Sequence, residues 1–229
     1  MNASITSPSE RYVQLAAGSA RLPGSLAVPA HPCGLVLFAH GSGSGWRSPR
    51  NTSVAETLRS AGLATLQFNL LTEQESARQG ATFDVRLLAQ RLLAATEWAG
   101  AEAELAGLSI GYFGASTGAA AALVAAATSR TPIGAVVSRG GRPDLAGDHL
   151  PRVKAPTLLL VGSRDTTVLT LNRQAFDQLT CVKRLVVIPG ASHLFEEPGT
   201  LEDVARWAAE WFVHHLAMAR TWHPPGGGG

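Results

Sequence analysis

A chain of 229 residues, 45% hydrophobic and 16% charged, is long enough to bury a full core and too apolar to be intrinsically disordered. Its 19 lysines and arginines against 17 acidic residues leave a formal net charge of +2, and the densest basic stretch, Trp46-Arg47-Ser48-Pro49-Arg50, has no basic neighbours. Nucleic acid is therefore not an expected partner. No apolar run approaches the roughly 20 residues that span a bilayer. The first 24 residues lack a basic flank leading into an apolar stretch, so no export signal and no membrane association are expected. Residues 1–222 read as a single cytoplasmic domain, followed by a disordered Pro/Gly tail over 223–229. Cys33 and Cys181 are expected as reduced thiols rather than a disulfide.

Apolar runs and helical patterns then alternate along the chain. Residues 12–17 and 25–28 read as short opening strands around a turn at Pro23-Gly24. The run 34–39 (GLVLFA) is a buried strand that enters the glycine-rich His40-Gly41-Ser42-Gly43-Ser44-Gly45. A helix over 51–60, a strand over 63–70 and a polar flap over 71–82 come next. Phe83, Leu87, Leu88, Leu92 and Trp98 recur at helical spacing and predict a helix over 83–98. The second half continues with strands over 108–113, 133–137, 157–162 and 185–189. Helices are predicted over 117–128, 169–179 and 201–216. This alternation predicts an α/β fold: a mostly parallel, twisted sheet of about eight strands with helices on both faces. Between the strands at 133–137 and 157–162 there is room for a loop and no lid domain.

In such sheets ligands sit beyond the carboxyl ends of the strands. The pattern Gly-x-Ser-x-Gly occurs around Ser109 and around Ser116, but its mechanical meaning requires strand, sharp turn and helix in succession. Ser109 lies within an entering strand, whereas Ser116 ends a strand and is followed at once by an alanine-rich helix. Ser116 is thus the candidate nucleophile. A serine hydroxyl needs a base, and the base needs an orienting group. His193 lies just beyond the strand at 185–189 and is the candidate base; Asp165 ends the strand at 157–162 and is the candidate orienter. Asp144, which also follows a strand, is the rival acid, or else a turn cap after Pro143.

The loop 40–45 lacks the Lys-Ser/Thr of a phosphate loop, and Trp46 stands where a dinucleotide fingerprint needs its third glycine. It reads better as a source of oxyanion donors: the backbone N–H of Thr117 together with that of Ser42 or Gly43. His40 braces this loop. No histidine and carboxylate cluster has metal-ligand spacing, so no metal is expected.

The run His40-Gly41-Ser42-Gly43, Gly114-Ala115-Ser116-Thr117-Gly118, Asp165 and His193 resembles the α/β-hydrolase superfamily over nearly the whole chain. With the short length, it is most similar to the dienelactone-hydrolase-related group. The name-giving members of that group use a cysteine nucleophile, and here the position is Ser116. The resemblance implies hydrolysis of small carboxylic esters through an acyl-enzyme, without a cofactor. Lactone hydrolysis is the alternative reaction. The resemblance also extends to relatives beside phosphoribosyltransferase-like domains, so a non-catalytic partner-binding module is a third reading. Monomer and homodimer both remain open. An open cleft implies short acyl chains; Trp46 and Phe195 are expected either to wall it or to pack in the core. Arg139 and Arg142 are expected either to grip a substrate carboxylate or to sit solvated at the surface.

Overall fold

The computed structural model describes residues 9–219, so the expected tail over 223–229 lies outside the described residues. The strands are β1 (Ser9–Ala17), β2 (Ala20–Val28), β3 (Gly34–Ala39), β4 (Leu63–Phe68), β5 (Ile110–Ala115), β6 (Ile133–Arg139), β7 (Thr157–Gly162) and β8 (Lys183–Ile188). The helices are α1 (Pro49–Ser60), α2 (Glu73–Ser76), α3 (Val85–Ala101), α4 (Thr117–Thr128), α5 (Thr166–Gln178) and α6 (Thr200–Ala219).

Every residue of β3, β4, β5 and β7 is buried, as expected for apolar runs that do not alternate with polar residues. Such strands must be covered on both faces. Leu35 and Leu37 of β3 join Tyr112, Val136 and Leu159 under Leu88 and Leu92 of α3 and Leu123 of α4. Their neighbours Val36 and Phe38 point the other way and join Phe113, Val137 and Leu160 under Val54 and Leu58 of α1 and Phe212 of α6. The eight strands lie in the order β1-β2-β4-β3-β5-β6-β7-β8. β1, β2 and β4 pair antiparallel, and β3 to β8 are parallel. The carboxyl ends of β3, β5, β6, β7 and β8 therefore share one edge, and Ser116, Asp165 and His193 follow three of them.

Several local expectations are corrected. The turn expected at Pro23-Gly24 is absent: both residues lie inside β2, and the hairpin turns at Gly18, whose φ of 64° suits a glycine. Pro23 is tolerated because its carbonyl accepts from the Asn69 amide (3.0 Å). Its nitrogen therefore faces the end of β4, beyond the last pair, Gly24–Phe68. Phe83 is not on the core face of a helix; it is 62% exposed, within a 3₁₀ turn over Ala81–Phe83. The helix begins only after Asp84, whose side chain accepts from the Leu87 amide (3.0 Å) as an N-cap. The polar flap over 71–82 carries α2, closed by a Thr72/Glu75 capping box and tied to α3 by Glu75–Arg91. After β6 the chain forms a 3₁₀ segment over Pro143–Arg152, kinked at Gly147, that buries Ala146 and Leu150 rather than a plain loop. Among the described residues there is no lid domain. Cys33 lies before β3 and Cys181 before β8, and the two form no disulfide with each other.

Candidate active site

The turn at Ser116 is set by small residues on either side of it. A Cβ at Gly118 would lie 2.1 Å from the Ala39 carbonyl oxygen, and one at Gly114 would lie 2.4 Å from Ala119 Cα. Only glycines let the end of β3, the end of β5 and the start of α4 meet here. Ser116 itself has φ 51° and ψ −123°, a strained conformation for a non-glycine residue. Its amide donates to the Arg139 carbonyl (3.2 Å), and its carbonyl accepts from the amides of Arg142 and Ala119 (3.1 Å each). The strain is thus held in place by the end of β6 and the first turn of α4.

Asp165 follows β7 and occupies the position just before α5. Its Oδ2 accepts from Nδ1 of His193 at 2.6 Å, a charge-assisted length. With the Nδ1 proton committed to Asp165, Nε2 is left as an acceptor. The His193 loop reaches the serine through Gly140: a Cβ there would lie 3.1 Å from the His193 carbonyl and 3.7 Å from its ring Cε1. Ser116 and His193 therefore border the same short segment, residues 139–142. The Ser116 hydroxyl is not hydrogen-bonded to His193, and such contacts are commonly long before substrate binds.

The candidate oxyanion donors lie on two turns. Thr117 is the first residue of α4, so its amide has no partner four residues back. Ser42 and Gly43 form the centre of a turn closed by the Ser44 amide on the Gly41 carbonyl (3.3 Å), with Gly43 at φ 69°. A Cβ at Gly41 would stand 3.1 Å from Ser116 Cβ, so this turn lies directly against the serine. His40 braces the loop: its ring bonds the Gly41 carbonyl through Nδ1 (3.0 Å) and accepts the Leu70 amide at Nε2 (3.0 Å). Burial holds its pKa below the ordinary histidine value, which keeps the ring neutral. A lowered folded value means that this stabilisation is complete above the unfolded pKa. It is lost as pH falls through the folded one. His40→Gln is expected to flatten the acid side of the Tm–pH profile, and an unchanged slope below pH 6.5 would exclude the bracing role.

The remaining sequence candidates separate. Asp144 is engaged by Arg142 in a two-point pair (2.9 and 2.8 Å), so both are committed to each other. Phe195 is 2% exposed and packs under the His193 loop against Gly140, as a core support rather than an apolar wall. Trp46 stands edge-on to Tyr12 (5.7 Å between centroids) and under Arg47, away from the cavity beside the glycine-rich loop. Arg139 is buried rather than solvated. Ser109 lies just before β5, its carbonyl accepting from the Leu35 amide (2.9 Å), a structural role.

Two supporting residues escaped the sequence reading. Glu197 accepts from the Ser192 amide (2.9 Å) and pairs with Arg164 (3.2 Å), clamping the His193 loop to the residue before Asp165. Asn172 of α5 donates to the Gly141 carbonyl (2.9 Å) and so holds the 139–142 segment. Neither carries a spacing signal, because each acts across separate loops.

A serine on a strained strand-to-helix turn and a histidine–aspartate pair on later loops, at the carboxyl edge of one mostly parallel sheet, fit the architecture of an α/β hydrolase. The chain belongs to that family: residues 32–208 match the α/β-hydrolase domain model. It is 53% identical to a dienelactone hydrolase of Anabaena variabilis, covering 92% of this chain and all of that one, with a TM-score of 0.89. The fold is also shared with Est1E of Butyrivibrio proteoclasticus, at 19% identity, 90% and 99% coverage and a TM-score of 0.76. Two Mycobacterium tuberculosis proteins, provisionally named phosphoribosyl transferases, are 56% identical over 207 residues. That match covers 90% of this chain and 47% of theirs, so the chain spans about half their length.

Proposed function

We propose that the protein is a serine hydrolase that cleaves small carboxylic esters through an acyl-enzyme. Ser116 attacks the carbonyl, and His193 takes the hydroxyl proton at Nε2 and returns it to the leaving alcohol. Asp165 holds the imidazole in the required tautomer. The amides of Thr117 and of Ser42 or Gly43 receive the oxyanion. The observation that carries this reading is the pairing of a strained Ser116 with a His193–Asp165 bond of 2.6 Å on one edge of the sheet. The likeness to a dienelactone hydrolase favours including lactones among the substrates. We place the protein in the cytoplasm, where both thiols would stay reduced. Among the described residues, no helix is long and apolar enough to cross a membrane.

A non-catalytic module is the second reading, favoured by the match to only half of the longer relatives. The two are separated by a panel of chromogenic esters and lactones: turnover of none of them by the intact protein would leave the module reading.

The cavity beside the glycine-rich loop is small, about 200 Å³, and is lined by Gly41, Ser44, Leu71, Ser76, Thr82 and Leu88. Sites for drug-sized ligands start near 300 Å³. A short acyl group fills it, and further methylenes, worth about 0.8 kcal/mol each when buried, have no wall to gain from. Acetyl to butyryl esters are therefore expected to give the highest kcat/KM. A maximum at ten carbons or more would place the chain in the larger apolar groove of about 690 Å³ between Val85, Leu93, Val124 and Leu145.

A further inference from the structure

The hairpin of β1 and β2 carries an aromatic side chain that the core does not use. Val13 and Leu15 turn into the core, and the alternation of a strand sends Tyr12 and Gln14 to the opposite face. Tyr12 is 77% exposed there. Its ring stands edge-on to Trp46, with 5.7 Å between centroids, and the Arg47 guanidinium lies 4.4 Å from the centre of the Trp46 ring. Trp46 is pinned from the β4 side: its amide donates to Asn69 Oδ1 (3.0 Å), and its carbonyl accepts from Gln67 Nε2 (3.2 Å). The main chain under this ring is thus fixed in advance, so little ordering is left for a ligand to impose.

Tyr12, Trp46 and Arg47 line a cavity of about 370 Å³ together with Gln14, Asn69 and Glu73, a volume at the small end of ligand sites. Among the described residues, no hydrogen bond or ion pair engages the side chains of Gln14, Arg47 and Glu73, the Tyr12 hydroxyl or Nδ2 of Asn69. Donors and acceptors are therefore both on offer, and the charges of Arg47 and Glu73 offset each other. Hydroxyl groups donate and accept alike, so the cavity suits a neutral, polyhydroxylated ligand better than an anion or a cation. The negative face of an aromatic ring receives the C–H face of a sugar through the same quadrupole that orients aromatic pairs. The cavity also adjoins the catalytic edge. Ser44, Leu71 and Ser76 line the small cavity beside the oxyanion turn, and Trp46, Asn69 and Glu73 stand two or three residues from them on the same three segments.

We propose that this aromatic and polar cavity is a saccharide-binding site, and that the esters cleaved at Ser116 are short acyl esters of saccharides. The assignment to substrate rests on the hydrolase reading, while saccharide binding itself does not. The sugar is the alcohol part of such an ester, so the small cavity beside the oxyanion turn has only a short acyl group to hold.

Two measurements test it. The first titrates the intact protein with xylobiose, cellobiose or chitobiose and follows tryptophan fluorescence. At least one of the three is expected to give a saturable change, with Kd raised on the order of tenfold in Tyr12→Ala, the scale of a lost ring contact. Glu73→Gln is expected to raise it several-fold. The second compares kcat/KM for the acetylated form of the disaccharide that binds with kcat/KM for phenyl acetate. The acyl group passed to Ser116 is then the same, and the ratio, saccharide over phenyl, is expected to fall on the order of tenfold in Tyr12→Ala. No saturable change with any of the three in the wild type, or a Kd that both variants leave unmoved, would overturn the site. A Kd raised in the variants with the ester ratio unmoved would overturn its assignment to substrate. If the wild type turns over neither ester, the hydrolase reading fails while the titration still decides the saccharide site. Tyr12 and Glu73 are both exposed, so neither variant removes core packing.

Discussion

Replacing Ser116 with alanine is expected to lower ester turnover by about 10⁶-fold while leaving the fold intact. The loss is large because the group that forms the acyl bond in this reading is the one removed. The remaining donors can bind substrate but cannot form the acyl bond. The fold is expected to survive because the backbone at φ 51° is held by the Arg139 carbonyl and the Arg142 and Ala119 amides, none of which uses the side chain. Ser109→Ala serves as the control, since only the carbonyl of that residue is engaged; its turnover should stay within a few-fold of wild type. A sulfonyl fluoride should label Ser116 and stop the reaction. A variant keeping a tenth of wild-type turnover, or a label mapped to another residue, would remove Ser116 from the chemistry.

Asp165→Asn is expected to lower kcat by about 10⁴-fold, the scale known for the equivalent change in a trypsin-type triad. The amide nitrogen can donate where the carboxylate only accepted, which turns the His193 ring to the wrong tautomer. It also removes the charge that stabilises the imidazolium. Asp144→Asn should leave kcat within a few-fold, because Asp144 is taken up by Arg142 two residues away. Its loss should cost stability about as little as an ordinary exposed ion pair, about 0–1 kcal/mol. If Asp144→Asn were the damaging change, the orienting acid would lie after β6, and the 2.6 Å bond between His193 and Asp165 would have no catalytic meaning. Arg164 and Glu197 belong to the same question. Their contact ties the Asp165 loop to the His193 loop, so loosening it should raise the demand on the single bond between acid and base.

The sheet and its order of chemistry were legible without coordinates because the signal is local. Runs such as GLVLFA and TLLLVG cannot be half-exposed, and an alanine-rich segment directly after a serine can only continue as a buried helix. Strand ends are local too, which is why Ser116, Asp165 and His193 could each be placed after a strand, and why Ser109 could be set aside. Register and facing are not local. Whether Pro23-Gly24 turned or ran straight depended on β4 arriving to pair with Gly24, and whether Phe83 was core depended on Asp84 capping the helix one residue later. The side chains around the site were decided the same way. Arg139 and Arg142 read alike in sequence, three residues apart beyond a strand. In the fold Arg142 finds Asp144, while Arg139 is buried with its Nη1 lacking a hydrogen-bond partner. Phe195 is drawn beneath the loop it belongs to, and Trp46 is drawn to Tyr12. Sequence specified which groups stand at the edge of the sheet because hydrophobic periodicity and turn chemistry act over a few residues. Only tertiary structure chose which of them remain without a partner, because that depends on what distant strands and helices bring alongside.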